Sequence, residues 1–249
     1  MKNAIISLSD SNYFHLLNEL VDSIRSFPES KNVDICILDA GMTNEQLKKL
    51  ENKVTKIKKA EWDIPVNNFK IKGREWLKSQ VSRAFLPDYF SNYYKYIWID
   101  CDAWINSWIA VDLLTKACDK NKLGISSMSD RHTGRVLRVD WLFKNLGFVK
   151  SQNYKHAKSS GFSNKISRHI GIQPHLNIGV FSLQGSSSTW KVWQKNLEKA
   201  LSKGRIFGSE QVAMNISVYV DKIKKDILPY YCNWIPIPGN TKFNTKSNR

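Results

Sequence analysis

Short apolar runs and helix-spaced apolar positions alternate along the first sixty residues. Ala4–Leu8 is a continuous apolar run of strand length, followed by Ser9-Asp10-Ser11-Asn12, a cluster of turn and capping residues. From Tyr13 onward, Phe14, Leu17, Leu20, Val21 and Ile24 recur at three- and four-residue steps, which predicts an amphipathic helix ended by Pro28. Val33–Leu38 is a second strand closed by Asp39-Ala40-Gly41. Thr43-Asn44-Glu45-Gln46 then carries the spacing of a capping box, opening a second helix. Val54–Lys58 predicts a third strand. Strands and helices in this succession imply a parallel, right-handed α/β start.

Further on, Glu75–Phe90 predicts one helix that feeds an apolar strand ending in Asp100-Cys101-Asp102. Leu123–Met128 and Asn177–Leu183 read as strands, and Thr189–Leu201 and Gly208–Tyr219 as helices, the second capped by Ser209. Residues 129–175 show no clear periodicity and read as a lid or a substrate-facing insertion. The expectation is a single α/β domain over residues 1–238, a mostly parallel central sheet flanked by helices, with a polar, basic tail at 239–249.

Composition narrows the setting. No stretch approaches the roughly 20 apolar residues of a membrane span. The cysteines at 36, 101, 118 and 232 form no C-x-x-C pair, and the N-terminus enters a strand without the apolar core of a signal peptide. A cytoplasmic protein is expected. The net charge is +16. Arg131, Arg135, Arg138, Lys144, Lys150, Lys155, Lys158, Lys165 and Arg168 face a single acid, Asp140, in that segment. Such a field attracts polyanions: phosphorylated substrates, an anionic membrane face or nucleic acid. Aromatic residues interleave there, but no RNP, zinc-finger or helix-turn-helix signature accompanies them. His132, His156, His169 and His175 cluster loosely in the same region, without the cysteine partners or spacing of a zinc site.

The candidate chemistry sits in Lys95-Tyr96-Ile97-Trp98-Ile99-Asp100-Cys101-Asp102. In an extended backbone Asp100 and Asp102 point to one side and can share a cation. Mg²⁺ or Mn²⁺ prefers oxygen ligands, takes one or two carboxylates and leaves positions for phosphates. The same triplet also suits a plain turn. A phosphatase nucleophile is another reading, weakened by the position of the triplet, by Ala103 after it and by the lack of an adjacent Asp pair downstream. A basic α/β protein that binds nucleic acid or other anions, with incidental carboxylates, is the non-enzymatic reading.

Five segments in order resemble the GT-A glycosyltransferases, above all the retaining family that includes glycogenin and lipopolysaccharide galactosyltransferases. They are Leu8-Ser9-Asp10-Ser11-Asn12-Tyr13, Ser82–Pro87 with Tyr94–Asp102, Leu176-Asn177-Ile178-Gly179-Val180, Glu210-Gln211-Val212-Ala213-Met214-Asn215, and Tyr231–Pro236. The resemblance implies a GT-A, Rossmann-like fold and a hexosyltransferase moving sugar from a nucleotide diphosphate, UDP-linked, to a glycan or lipid-linked acceptor. It implies a nucleotide-sugar site at Leu8, Ser9, Asp10, Asn12, Arg83, Asp100, Cys101 and Gly179, with Mn²⁺ or Mg²⁺ on Asp100 and Asp102. It places Asn177, Glu210 and Gln211 at the reacting sugar. Peripheral contact with an anionic membrane is part of that expectation. One departure stands out: the family's third metal ligand is a late histidine, and no histidine follows His175 here. Asn240, water or nothing takes its place.

Overall fold

The computed structural model describes residues 2–66, 71, 73–128 and 137–234. Its strands are β1 (Asn3–Ser9), β2 (Val33–Asp39), β3 (Lys56–Lys59), β4 (Lys95–Ile99), β5 (Leu123–Ser127), β6 (Leu137–Leu142), β7 (Asn145–Ser151), β8 (Leu176–Gln184) and β9 (Lys225–Leu228). Its longer helices are α1 (Phe14–Arg25), α2 (Asn44–Glu51), α3 (Trp108–Ala117), α4 (Gln152–Ser159), α5 (Asn164–Gly171), α6 (Thr189–Lys203) and α7 (Ser209–Tyr219). One sheet carries β3-β2-β1-β4-β8-β5-β9, and β6 pairs with β7 alone. The pairings β3–β2, β2–β1, β1–β4 and β5–β9 are parallel. β8 runs antiparallel to both neighbours. The sheet is mostly parallel and flanked by helices, as the sequence implies.

Alternation along the strands divides the core into two layers. Ile5, Ile35, Ile97 and Ile99 face Leu17, Leu20, Val21 and Ile24 of α1 and Val111 and Leu114 of α3. Their neighbours Ile6, Cys36 and Trp98 face the other side, packing with Phe181, Trp190, Trp193 and Leu197. Trp98 lies stacked with Phe181, and Trp193 meets Phe181 edge-on. A third, smaller cluster of Ala157, Phe162, Ile170, Ala200, Val212 and Ile216 anchors α4 and α5 onto α6 and α7.

Several expectations need correction. The 75–90 segment is not one helix but 3-10 turns at Glu75–Lys78 and Arg83–Phe85 alternating with α turns at Ser79–Ser82 and Leu86–Tyr89. Pro87 has no N–H to give the Arg83 carbonyl, which breaks the continuous ladder. The stretch without periodicity contains the β6–β7 hairpin and two helices. α4 and α5 are capped by Ser151 and Ser163, whose side chains accept from Tyr154 and Ile166 N–H. Ser209 is not the cap of α7. Gly208 is, at φ 80°, and the Ser209 hydroxyl donates to the Ile206 carbonyl at 2.6 Å. Strand β9 and helix α3 add to the elements that the sequence pattern predicts. The Thr43–Gln46 capping box is present in full. Residues 129–136 of the basic segment and the tail at 239–249, Asn240 included, lie outside the described residues.

Candidate active site

Parallel β1 and β4 end side by side, and a pocket of about 200 Å³ opens at their carboxyl ends. This is where open α/β sheets receive ligands. Leu8, Ser9, Asp10 and Tyr13 line it from β1 and its turn, and Trp98, Asp100, Cys101 and Asp102 from β4 and its turn. Trp76, Ser79, Gln80 and Arg83 close it from the broken helical segment, and Phe207 from the loop before α7. A shallower recess of about 290 Å³ lies between α2 and β3, lined by Leu47, Glu51, Val54, Thr55, Lys56 and Ile57. It brings together neither paired carboxylates nor a buried cation.

Asp100 and Asp102 reach the pocket differently from the extended geometry expected of them. β4 stops at Ile99, and the Ala103 N–H bonds back to the Asp100 carbonyl at 3.1 Å, so the triplet is a turn. Asp100 is tied down on three sides. The Trp98 indole N–H donates to its Oδ1 at 2.7 Å, and an Arg83 guanidinium nitrogen approaches the same oxygen at 3.2 Å. Its backbone N–H meets the Gly179 carbonyl at 2.8 Å. Burial pushes the Asp100 carboxyl above the usual carboxylate range. Arg83 and the Trp98 bond pull it down, and Asp102 adds to the rise.

Arg83 is 3% exposed and fully engaged. It donates to the Ser79 carbonyl at 2.7 Å and the Ile178 carbonyl at 3.2 Å, and its guanidinium lies 4.7 Å from the Trp98 ring. A buried cation so held is preorganised beside the pocket rather than a mobile surface charge.

Gly179 lies where three polar side chains converge. A Cβ there would stand 2.9 Å from Asp100 Oδ2, 3.2 Å from Asn177 Oδ1 and 3.6 Å from Asn233 Nδ2. Asn177 Oδ1 accepts the Gly179 N–H at 2.9 Å. Among the described residues the buried Asn233 amide nitrogen finds no acceptor, and the buried Glu210 Oε2 finds no donor. Buried polar groups normally have partners. Burial lifts the Glu210 carboxyl to about 7, against the opposing pull of Arg83. Asn233, the last residue of the 3-10 turn Tyr230–Asn233 after β9, lies in the Tyr231–Pro236 segment, but nothing in that segment predicts its approach to Gly179.

The remaining candidates separate. Asp10 is buried, but its Oδ1 accepts the N–H groups of Asn12 and Tyr13 at 3.0 and 3.1 Å, so it shapes the turn. Asn12 is exposed, is absent from the pocket lining and donates its side-chain amide to Asp10. Burial raises the Cys101 thiol to about 12. Gln211 stands at the start of α7, and its amide nitrogen meets His175 Nε2.

The donor set suits a hard divalent cation: two carboxylates on one turn, with Asp100 Oδ1 occupied and phosphates able to complete the sphere. Among the described residues no group of three His, Cys, Asp or Glu side chains converges for a metal. Among them, too, no helix is long and apolar enough to cross a membrane.

Residues 4–182 match the sequence model of glycosyl transferase family 8, well over half of the 249 residues. No curated protein matches the chain. Among solved structures it is similar to the bifunctional glycosyltransferase WbbM in its apo form, at TM-score 0.59 and 16% identity over 92% of this chain. It spans 39% of that protein's length. It is also similar to the galactosyltransferase LgtC in complex with donor and acceptor sugar analogues, at TM-score 0.54 and 16% identity, covering 91% of this chain and 73% of that one. The glycosyltransferase GlyE of Streptococcus pneumoniae TIGR4 superposes at TM-score 0.54 and 13% identity, covering 94% and 47%. These likenesses bear on fold, and the family match sets the phosphatase reading aside. The chain belongs to glycosyl transferase family 8, a glycosyltransferase of the GT-A fold.

Proposed function

We propose that the chain transfers a hexose from a UDP-linked donor to a glycan or lipid-linked acceptor, with retention at the anomeric carbon. The observation that carries this reading is the Asp100–Asp102 turn at the joint ends of β1 and β4, backed by the immobilised Arg83. LgtC, which shares the fold, was solved with donor and acceptor sugar analogues, and that precedent supports a sugar nucleotide here.

Asp100 and Asp102 would hold Mn²⁺ or Mg²⁺, which when bound supplies positive charge to the departing diphosphate. Arg83 adds a fixed cation to the same end of the pocket. Its three anchors remove the reorganisation that a flexible side chain would need. Leu8, Ser9 and Asp10 form the floor for the nucleoside, and the turn cap of Asp10 fixes where Tyr13 presents its ring. Gly179 lets backbone and carboxylate approach closely enough for the sugar to lie against them.

Asn177 and Asn233 bring hydrogen-bonding capacity to that position, and Glu210 lies within electrostatic reach of Arg83 and Asp100. The unpartnered Glu210 Oε2 and Asn233 Nδ2 are complementary in type: one accepts and one donates, as sugar hydroxyls require. A neutral amide is a weak nucleophile, so Gln211 orients the sugar and stabilises positive charge developing at its reacting carbon.

The β6–β7 hairpin supplies the surface for an anionic acceptor or membrane face. Phe143 and Lys144 form its two-residue turn at φ 47° and 68°, a conformation that ordinarily selects Asn-Gly. Phe143 is 90% exposed and Leu142 is 61% exposed, with Lys144 beside them at the tip and Arg138 opposite Lys150 near the other end of the hairpin. An exposed aromatic beside a lysine at a strained tip fits a lipid interface better than a nucleic-acid groove.

The test is UDP release from a panel of UDP-hexoses with Mn²⁺, with and without oligosaccharide acceptors. Acceptor-stimulated release by the unaltered protein, lost in Asp102→Asn, is expected; equal release by both contradicts the reading.

A further inference from the structure

We infer that His175, held in its Nδ1–H tautomer by Asn153, is a positioning residue that fixes the Gln211 amide with its carbonyl Oε1 toward the donor sugar. The inference rests on the transferase reading of Gln211 given above. No motif points to His175, which precedes Leu176-Asn177 at the mouth of β8.

The chain of hydrogen bonds settles each ambiguous group in turn. Asn153, at the start of α4, is 1% exposed, and its Nδ2 donates to the carbonyls of Ile170 at 3.3 Å and Gln173 at 3.2 Å. Carbonyls only accept, so the amide nitrogen of Asn153 is assigned, and the atom it turns to His175 Nδ1, at 2.5 Å, is Oδ1. An amide oxygen only accepts as well, so Nδ1 carries the proton. In a neutral imidazole Nε2 is then a bare lone pair. It faces the Gln211 amide, whose NH₂ is the end able to donate to it. Gln211 Oε1 is thereby turned away from His175, and among the described residues no donor meets it.

The ring stays neutral for a physical reason. His175 is 2% exposed, and burial lowers it to about 4, with His156 of α4, 6.4 Å between ring centroids, pushing the same way. Protonation would put an N–H on Nε2 and invert the amide, drawing Oε1 inward and presenting NH₂ to the sugar. At a carbon that gains positive charge as the diphosphate leaves, the carbonyl end of the amide dipole is attractive and the NH₂ end repulsive. The orientation of Gln211 therefore has a sign, and His175 sets it.

Two measurements on the full chain test this. The first is ¹⁵N–¹H long-range correlation of the histidine rings, with His175 assigned by the signals missing from His175→Gln, or by through-bond correlation where that variant does not fold. Protonated Nδ1 and bare Nε2, unchanged from pH 8 to about 5.5, are expected; an Nε2–H tautomer, or protonation of His175 within that range, overturns the assignment. The second is steady-state transfer by Asn153→Asp, whose carboxylate favours the imidazolium, with His175→Phe as the variant that removes the acceptor outright. A fall in kcat of about tenfold or more with donor KM within about twofold is expected for either variant that folds; unaltered kcat, or a loss wholly in KM, overturns the positioning role. Absence of transfer by the unaltered protein removes the transferase reading and the positioning with it, while the spectrum still decides the tautomer.

Discussion

Asn215 grips Leu176 by both backbone polar groups. Its Oδ1 accepts the Leu176 N–H at 3.0 Å, and its Nδ2 donates to the Leu176 carbonyl at 3.2 Å. The same Nδ2 donates to the Gln211 carbonyl at 2.8 Å. One fully buried amide thus joins the strand that carries Asn177 and Gly179 to the helix that carries Glu210 and Gln211. Asn215→Ala leaves buried backbone groups without partners, at about 1–3 kcal/mol each. A stability loss of about 3 kcal/mol is expected from urea unfolding; a loss below about 1 kcal/mol contradicts the staple.

Arg83→Met removes the cation between Asp100 and the Ile178 carbonyl. Breaking a fully buried pair costs about 3–5 kcal/mol, but the Asp100 side chain is 35% exposed, so about 2 kcal/mol is expected. Arg83→Lys does not rescue it, because a single ammonium cannot span the anchors of a guanidinium fork. Thermal unfolding of both variants checks this, with rescue by lysine as the contrary result.

Gly179→Ala places a methyl group 2.9 Å from Asp100 Oδ2, and the carboxylate must turn away. UDP binding in the presence of Mn²⁺ should weaken about tenfold, or 1.4 kcal/mol, with little change in melting temperature. Undiminished binding places the nucleotide elsewhere.

Glu210 gives the metal-free protein a pH signature. Its folded value of about 7 lies above the ordinary 4.5, so the folded state holds a proton that the unfolded state has released. Stability from this group is therefore full below about pH 4.5 and falls as pH rises toward 7. Glu210→Gln should match the unaltered protein near pH 4.5 and exceed it at pH 8, by an amount on the order of 3 kcal/mol. Parallel stability curves for the two proteins contradict a strained, buried carboxylate.

The hairpin tip predicts binding to vesicles containing phosphatidylglycerol and none to phosphatidylcholine alone. Phe143→Ser combined with Lys144→Glu should weaken that binding by at least about fivefold, since each charge near an anionic surface is worth about 1 kcal/mol. Vesicle flotation reads this directly, and equal flotation of the variant removes the membrane role.

Elements with local signatures were legible in the sequence. Strands β1, β2, β4 and β8 are apolar runs, and α2 announces itself by its capping box. The early β-α-β rhythm implied a parallel sheet, but nothing in the run Leu176–Leu183 reveals that β8 lies antiparallel between β4 and β5, because register and direction are set by long-range pairing. Asp100 and Asp102 were found through residue type, yet their turn geometry comes from the Ala103–Asp100 bond and the Arg83 anchor. Arg83 is placed in the site by resemblance, but nothing in its own neighbourhood in the sequence shows that Trp98 and Ile178 close over it. No motif marks His175 or Asn153, and Asn233 is marked only by its place in the Tyr231–Pro236 segment: their roles exist only because α4, α7 and the segment after β9 converge on β8.

The most direct test of the central claim is calorimetric titration of the protein with UDP, with and without Mn²⁺, beside Asp102→Asn. The account predicts micromolar binding that requires the metal and disappears in the variant. Binding of equal strength with and without Mn²⁺, or in Asp102→Asn, would contradict the assignment of the Asp100–Asp102 turn to a metal-held diphosphate.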